Sequence, residues 1–401
     1  MKITTRIVLV VGSLLALSGQ SFARGVIVRL ADTSQLASII VDYPAIFAAD
    51  QAGSSPFVRF ESAGIGGNTL AEDLSHDSRI LWTADEGDFV AAKSQSSHGS
   101  SVAAIYDRTV SYDINKGVWQ QINYVPLILA TGATQLKVGL VDTGVSPLQP
   151  SIRNNIVASA SFVPGSPTID DVPQNLDTDG NGIYDEGAGH GTMVAGIVLQ
   201  LAPRAQLVVA KSADSDGIGN SWSVLKGIVF CVENNTKVIN ISLGSTSRLT
   251  GFSGLLSWVE DAGVVIVSPI GNNESEMALF PSAYPTVVCV TGVLPDNTKA
   301  PFSNWNIRAR SAAPATGIES AWWDGNTAVW SGTSFAAPLL TGCLAAVMPL
   351  SMTKTPAEIR QIIKVSGRSI DNVNPLYSGK LGTLLNYQSL LANFQITLND
   401  I

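Results

Sequence analysis

Apolar runs broken by glycine and small polar residues organise this chain, and their rhythm changes once along it. Near the beginning, 25–30, 56–60 and 79–82 are short runs rich in branched and aromatic side chains. They predict strands, with a helix over 34–47, and so a small α+β unit. From Leu136 the runs lengthen. A buried strand over 136–141 ends at Asp142, and Val194, Ile197, Val198 and Leu201 mark a helix over 191–201. Strands follow at 206–210, 238–242 and 264–267, with helices between. This alternation predicts an α/β domain, a parallel twisted sheet with helices on both faces. Sites in such sheets gather at the carboxyl ends of strands. Asp142, Ser242 and Asn272 lie at or beyond such ends. Thr355-Pro356-Ala357-Glu358 is a capping box with proline at the first helical position, and Gly367 follows that helix.

These patterns divide the chain into a small unit at 24–90, a linker at 91–104, the large domain at 105–395 and a tail at 396–401. The linker has small polar residues and no periodicity. Ahead of them, 1–23 reads as a secretory signal. Lys2 and Arg6 precede an apolar core at 7–17, and Ser21-Phe22-Ala23 supplies the small residues of a cleavage site. That core is too short to span a bilayer, and no later run reads as long and apolar enough. The mature chain is expected to be a monomer without a membrane span, exported to the medium or the cell envelope.

Of 401 residues, 45% are hydrophobic and 14% charged, the composition of a folded protein. A net charge of −8 argues against a nucleic-acid partner. Cys231, Cys289 and Cys343 sit in apolar runs, and an odd number gives no complete disulfide framework. They read as buried small hydrophobes, with one disulfide after export as the other reading.

Three motifs carry candidate chemistry. Asp142-Thr143-Gly144 follows a strand, Gly189-His190-Gly191-Thr192 opens a helix, and Ser331-Gly332-Thr333-Ser334-Phe335-Ala336-Ala337-Pro338 puts a hydroxyl where another helix begins. They supply acid, base and nucleophile in that order. A serine hydroxyl needs a base within reach, and the base needs an orienting anion. His76 and His98 fall within 24–104, so His190 is the one imidazole of the large domain. Asp-Thr-Gly also fits an aspartic peptidase, but that chemistry needs a second copy or a dimer of short chains. An α/β-hydrolase esterase expects Gly-x-Ser-x-Gly, which is absent from the sequence. Between the first two motifs, Asp177-Thr178-Asp179-Gly180-Asn181-Gly182-Ile183-Tyr184-Asp185 looks like the start of a calcium loop. Its twelfth position is Ala188, not glutamate. Asp177, Asp179, Asn181 and Asp185 are candidate ligands of a structural calcium ion, and an Asp-Gly turn is the alternative. The chemistry itself requires no cofactor.

The three motifs resemble those of the subtilisin-like serine peptidases, over roughly 118–392. Val238-Ile239-Asn240-Ile241-Ser242-Leu243-Gly244 is similar to the family's substrate-binding strand, and Pro269-Ile270-Gly271-Asn272 to the segment with its oxyanion asparagine. Phe302-Ser303-Asn304 and Ala312-Ala313-Pro314 also fall where the family has signatures. The resemblance implies a serine endopeptidase with an acyl-enzyme on Ser334, His190 as general base and Asp142 orienting it. Asn272 and the Ser334 N–H would form the oxyanion hole. Gly217, Gly219, Ser242, Leu243 and Gly244 would form two backbone edges that sandwich an extended protein or peptide substrate. Ala278 and Leu279 would lie near the floor of a shallow specificity pocket. Residues 24–90 would be the propeptide of a self-processing precursor, against the alternative of an attached accessory domain. Two positions depart from the family: Met193, and Leu339-Leu340, where many relatives have histidine and His-Val. Neither is in the triad. An inactive binding protein on the same fold is the non-enzymatic alternative.

Overall fold

The computed structural model describes residues 25–62, 67–91, 102–105, 115–126, 135–248 and 251–394. The signal at 1–23, most of the linker and the tail at 396–401 lie outside these. The chain divides into two compact units, Met1–Glu86 with Leu249–Gly254, and the remainder.

The first unit is an antiparallel sheet carrying two helices. Its elements are β1 (Val26–Leu30), α1 (Leu36–Asp42), β2 (Ile46–Gln51), β3 (Phe57–Ser62), α2 (Gly67–Ser75) and β4 (Ile80–Asp85), with strand order β2-β3-β1-β4. Val26, Val28 and Leu30 alternate onto one face of β1 and pack with Val58, Phe60, Ile39, Leu70 and Leu74. That two-residue period is what a strand imposes on the side chains sharing one sheet face. The helix expected over 34–47 ends at Asp42, and β2 follows. Pro44 explains this, because the residue before a proline is pushed out of the α region, and Tyr43 sits at φ −115°, ψ 79°.

The second unit begins with β5 (Asp88–Ala91), β6 (Val102–Ile105) and α3 (Lys116–Gln121). It continues through β7 (Lys137–Asp142), α4 (Pro150–Arg153), β8 (Ile156–Ser161), α5 (His190–Leu201), β9 (Gln206–Lys211), β10 (Ile218–Asn220), α6 (Ser221–Glu233), β11 (Val238–Ile241) and β12 (Leu243–Gly244). It closes with α7 (Phe252–Asp261), whose first three residues fall in the first unit, then β13 (Val265–Pro269), β14 (Val287–Val293), β15 (Ala309–Pro314), β16 (Ile318–Ala321), β17 (Thr327–Trp330), α8 (Thr333–Val347), α9 (Pro356–Ser366), β18 (Thr383–Leu384) and α10 (Tyr387–Asn393). Eight strands form a parallel sheet in the order β18-β15-β14-β13-β11-β7-β9-β8.

Both faces of this sheet are covered. Val138 and Leu140 of β7 join one core with α5 and α8. Gly139 faces the other way, where an added Cβ would come within 2.8 Å of Cys231 Sγ on α6. Helix α9 carries the expected capping box between Thr355 and Glu358. Among the described residues one helical segment, Thr333–Leu350, is long and apolar enough to cross a membrane, contrary to the sequence expectation. It is the central core helix, and its residues are buried against the sheet and α5. The three cysteines are buried free thiols, and burial pushes Cys289 up to about 12.

The small unit was expected to end at 90, but the division falls at Glu86/Gly87. Strand β5 pairs antiparallel with both β10 and β12 and so belongs to the second unit. Two ends of the expected linker are strands as well, Ala91 in β5 and 102–104 in β6.

Candidate active site

The three candidate triad residues arrive on three neighbouring elements. Asp142 is the last residue of β7, His190 the first of α5, and Ser334 the second of α8. His190 Nδ1 lies 2.6 Å from Asp142 Oδ1, and both side chains are buried. Asp142 Oδ1 also accepts the Thr143 N–H at 2.8 Å. Thr143 Oγ1 in turn accepts the Gly191 N–H at 2.8 Å, which ties the Asp turn to the His helix. The flanking glycines are required by space. A Cβ on Gly189, at φ +86°, would sit 2.6 Å from the Trp322 ring, and one on Gly191 would sit 2.4 Å from Gly144 O.

Around the nucleophile the polar contacts are neutral. Ser334 Oγ donates to Ser242 O at 3.4 Å, and Ser242 Oγ donates back to Ser334 O at 2.9 Å. Asn240 Nδ2 donates to Ser242 Oγ at 2.8 Å, and Thr341 Oγ1 of α8 donates to Asn240 Oδ1 at 3.1 Å. This chain of bonds fixes the start of α8 against the end of β11. Sequence reading missed Asn240 and Thr341, whose only signal is polarity within apolar runs. His190 Nε2 has no hydrogen-bond partner among the described residues, so the link from base to nucleophile is not formed in this conformation. Such links often tighten only once substrate is bound.

Asn272 comes to the same place. Its Oδ1 accepts from the Thr333 N–H at 2.9 Å and from Thr333 Oγ1 at 2.7 Å. With the oxygen occupied, the Nδ2 end is left to donate near the start of α8, 3.5 Å from where a Cβ on Gly332 would stand. The Ser334 N–H lies in the first turn of α8, where helix donors lack internal partners. Two convergent donors at a helix start can hold a developing oxyanion. Leu279 packs against Gly244 and Gly271, in the region expected for a specificity pocket. Met193, Leu339 and Leu340 are core residues, so the family departures are filled by packing.

The proposed substrate edges are paired by the chain itself. Strand β5 runs between β10 and β12, with Val90 opposite Ile218, Phe89 opposite Gly219, and Ala91 and Val90 opposite Leu243 and Gly244. Ala91 N–H also donates to Gly217 O at 2.8 Å. Phe89 and Ala91 are buried while Asp88 and Val90 face outward, the alternation of an added strand.

The acidic segment differs from its sequence reading. Carboxylates of Asp177, Asp179 and Asp216 gather within 4.8 Å of one another. Asp216 was missed because it lies beyond β9, far along the chain. Asp185 is not in this trio. It accepts the N–H groups of Gln174, Asn175 and Leu176 and the Ser215 hydroxyl. Burial raises its pKa, but these donors outweigh burial and hold it below the usual carboxylate range. Asn181 stands beside the trio, its Nδ2 donating to Asp179 Oδ2 at 3.2 Å and to Glu186 Oε2 at 2.6 Å. Three hard oxygen donors of like charge fit calcium better than any soft metal.

Comparison with known proteins gives the same picture. Residues 133–379 match the model of the subtilase family, Peptidase_S8. Subtilisin E of Bacillus subtilis (strain 168) is 28% identical over 306 residues, covering 72% of this chain and 75% of that protein. Subtilisin BL of Lederbergia lenta is 30% identical over 253 residues, covering 61% of this chain and 87% of that protein. The crystal structure of a cold adapted subtilisin-like serine proteinase superposes with a TM-score of 0.57 at 23% identity, over 68% of this chain and 97% of that one. That last likeness is one of fold.

Proposed function

The chain belongs to the subtilase family of serine endopeptidases, and on that premise we propose that it cleaves protein or peptide substrates through an acyl-enzyme on Ser334. The observation that carries this reading is the buried 2.6 Å contact between His190 Nδ1 and Asp142 Oδ1. With the proton on Nδ1, Nε2 presents a lone pair. Ser334 Oγ attacks the scissile carbonyl and its proton passes to His190 Nε2. Asp142 stabilises the imidazolium that results. The carbonyl oxygen becomes an oxyanion between Asn272 Nδ2 and the Ser334 N–H. Collapse breaks the C–N bond, and the leaving amine takes the proton from His190. Water then repeats the sequence on the ester and frees Ser334. All these groups come from the chain, so no cofactor enters a step.

The same reading makes the chain an exported, self-processing precursor. Strand β5 pairs as an extended substrate would, along β10 and β12. Ala91 stands opposite Leu243, next to Ser242, whose carbonyl is 3.4 Å from Ser334 Oγ. Processing is therefore expected just after Ala91. Calcium at Asp177, Asp179 and Asp216 would stabilise the segment that precedes α5. Chelation should lower Tm by a few degrees, and calcium, not magnesium, should restore it; a Tm indifferent to chelator removes the ion from the proposal.

Intact mass over time, on chain beginning at Arg24, tests the precursor reading. Wild type should shorten just past Ala91 while Ser334→Ala stays whole. Shortening of both at the same rate would take the cleavage away from Ser334.

A further inference from the structure

We infer that Asn304 is a positioning residue for the oxyanion hole: it holds the backbone on both sides of Asn272, so that the Asn272 amide is in place before charge develops on the substrate. The inference rests on the proposed peptidase reading and adds to it a residue outside the triad and the oxyanion pair. Asn304 lies in the loop after β14, and Ile270 to Ser275 in the loop after β13. Parallel pairing of these two strands brings both loops out at the same end of the sheet.

Asn304 is wholly buried, and its bonds fall on each side of Asn272. On the near side, the Asn304 N–H donates to Gly271 O at 3.0 Å and Nδ2 donates to Ile270 O at 3.4 Å. On the far side, Oδ1 accepts the N–H of Asn273 at 2.8 Å, the N–H of Ser275 at 3.1 Å and the Ser275 hydroxyl at 3.3 Å. The task needs a donor and an acceptor on one short side chain, which an amide supplies. Gly271 makes room for it: at φ +117°, a Cβ there would sit 2.6 Å from Asn304 Nδ2.

The loop that carries Asn304 is itself braced. Buried Lys299 donates through Nζ to Ala300 O at 3.0 Å, Pro301 O at 2.9 Å and Ser303 O at 3.0 Å, and Ser303 Oγ donates to Asn304 O at 2.9 Å. Asn272 is thus restrained twice. Thr333 holds the oxygen of its side chain, and Asn304 holds the backbone from which that side chain hangs. A donor fixed in this way needs no reorganisation when charge appears, and a misplacement of about 1 Å can cost about 10²-fold in rate.

The test is a double-mutant cycle on kcat and KM for peptide hydrolysis: wild type, Asn304→Ala, Asn272→Ala and the double variant, each processed by tagged wild-type enzyme that is then removed. Asn304→Ala should lower kcat by about 10–100-fold, with KM held within about twofold. In the Asn272→Ala background the same change should cost less than about threefold, because the group it positions is gone. Equal losses in the two backgrounds overturn the inference, since they make Asn304 a support of the whole site. So does a kcat within about twofold of wild type, or a loss carried by KM alone. If Asn304→Ala does not fold, Asn304→Ser, whose shorter hydroxyl draws back from the 273–275 backbone, goes through the same cycle under the same criteria. An inert wild type defeats the peptidase reading itself, whereas an active wild type with equal losses defeats only the role of Asn304.

Discussion

At the Asp142–His190 end of the site, a buried carboxylate meets a buried imidazole, with the Lys211 ammonium ending the strand beside Asp142. At the Ser334 end they are neutral, a hydroxyl, an amide and backbone carbonyls. The two ends face different demands. The base must change charge during the reaction, and a carboxylate stands against it to hold its ring and to face the charge that develops. The nucleophile must only be aimed, and neutral hydrogen bonds do that without altering a titration. Changes at the first end should therefore move pH profiles, and changes at the second should lower kcat with the profile in place.

The largest effects come from removing the reacting groups. Ser334→Ala should lower kcat by about 10⁴–10⁶-fold, and Asp142→Asn by about 10⁴-fold, with Tm near wild type for the serine variant. An Asp142→Asn enzyme within tenfold of wild type would mean that the ionic end is not what orients the base. Asn272→Ala should cost about 10²–10³-fold in kcat, as loss of one oxyanion donor does, without shifting the acid limb. A shifted limb there would blur the division between the two ends. Asn240→Ala cuts the tie from α8 to β11, and should destabilise by about 1–2 kcal/mol in denaturant titrations, a cost set by the buried partners left unpaired.

The smallest effect lies outside both ends. Asp185 has a pKa held below its unfolded value, so its stabilisation is present above the ordinary carboxylate range. It is lost as pH falls through the folded value. The Tm gap between wild type and Asp185→Asn should therefore close on acidification; a gap that widens in acid would show the sign to be wrong.

What could be read from the sequence was local. The three motifs are legible because glycines beside His190 and the small residues at the start of α8 are demanded within a few positions. The parallel sheet was legible from its buried runs. Asp216 was not, because its place beside Asp177 and Asp179 depends on a distant loop returning to them. Strand β2 was absorbed into a helix because its apolar residues continue the run before Pro44. Strand β5 is four residues long, and nothing local says that two other strands flank it.

Labelling with a serine-reactive phosphonate, followed by peptide mapping, tests the assignment of Ser334 most directly. The expected result on processed enzyme is a single adduct on Ser334, lost in both Ser334→Ala and His190→Ala along with peptide hydrolysis. Labelling at another residue, or hydrolysis that survives Ser334→Ala undiminished, would contradict it.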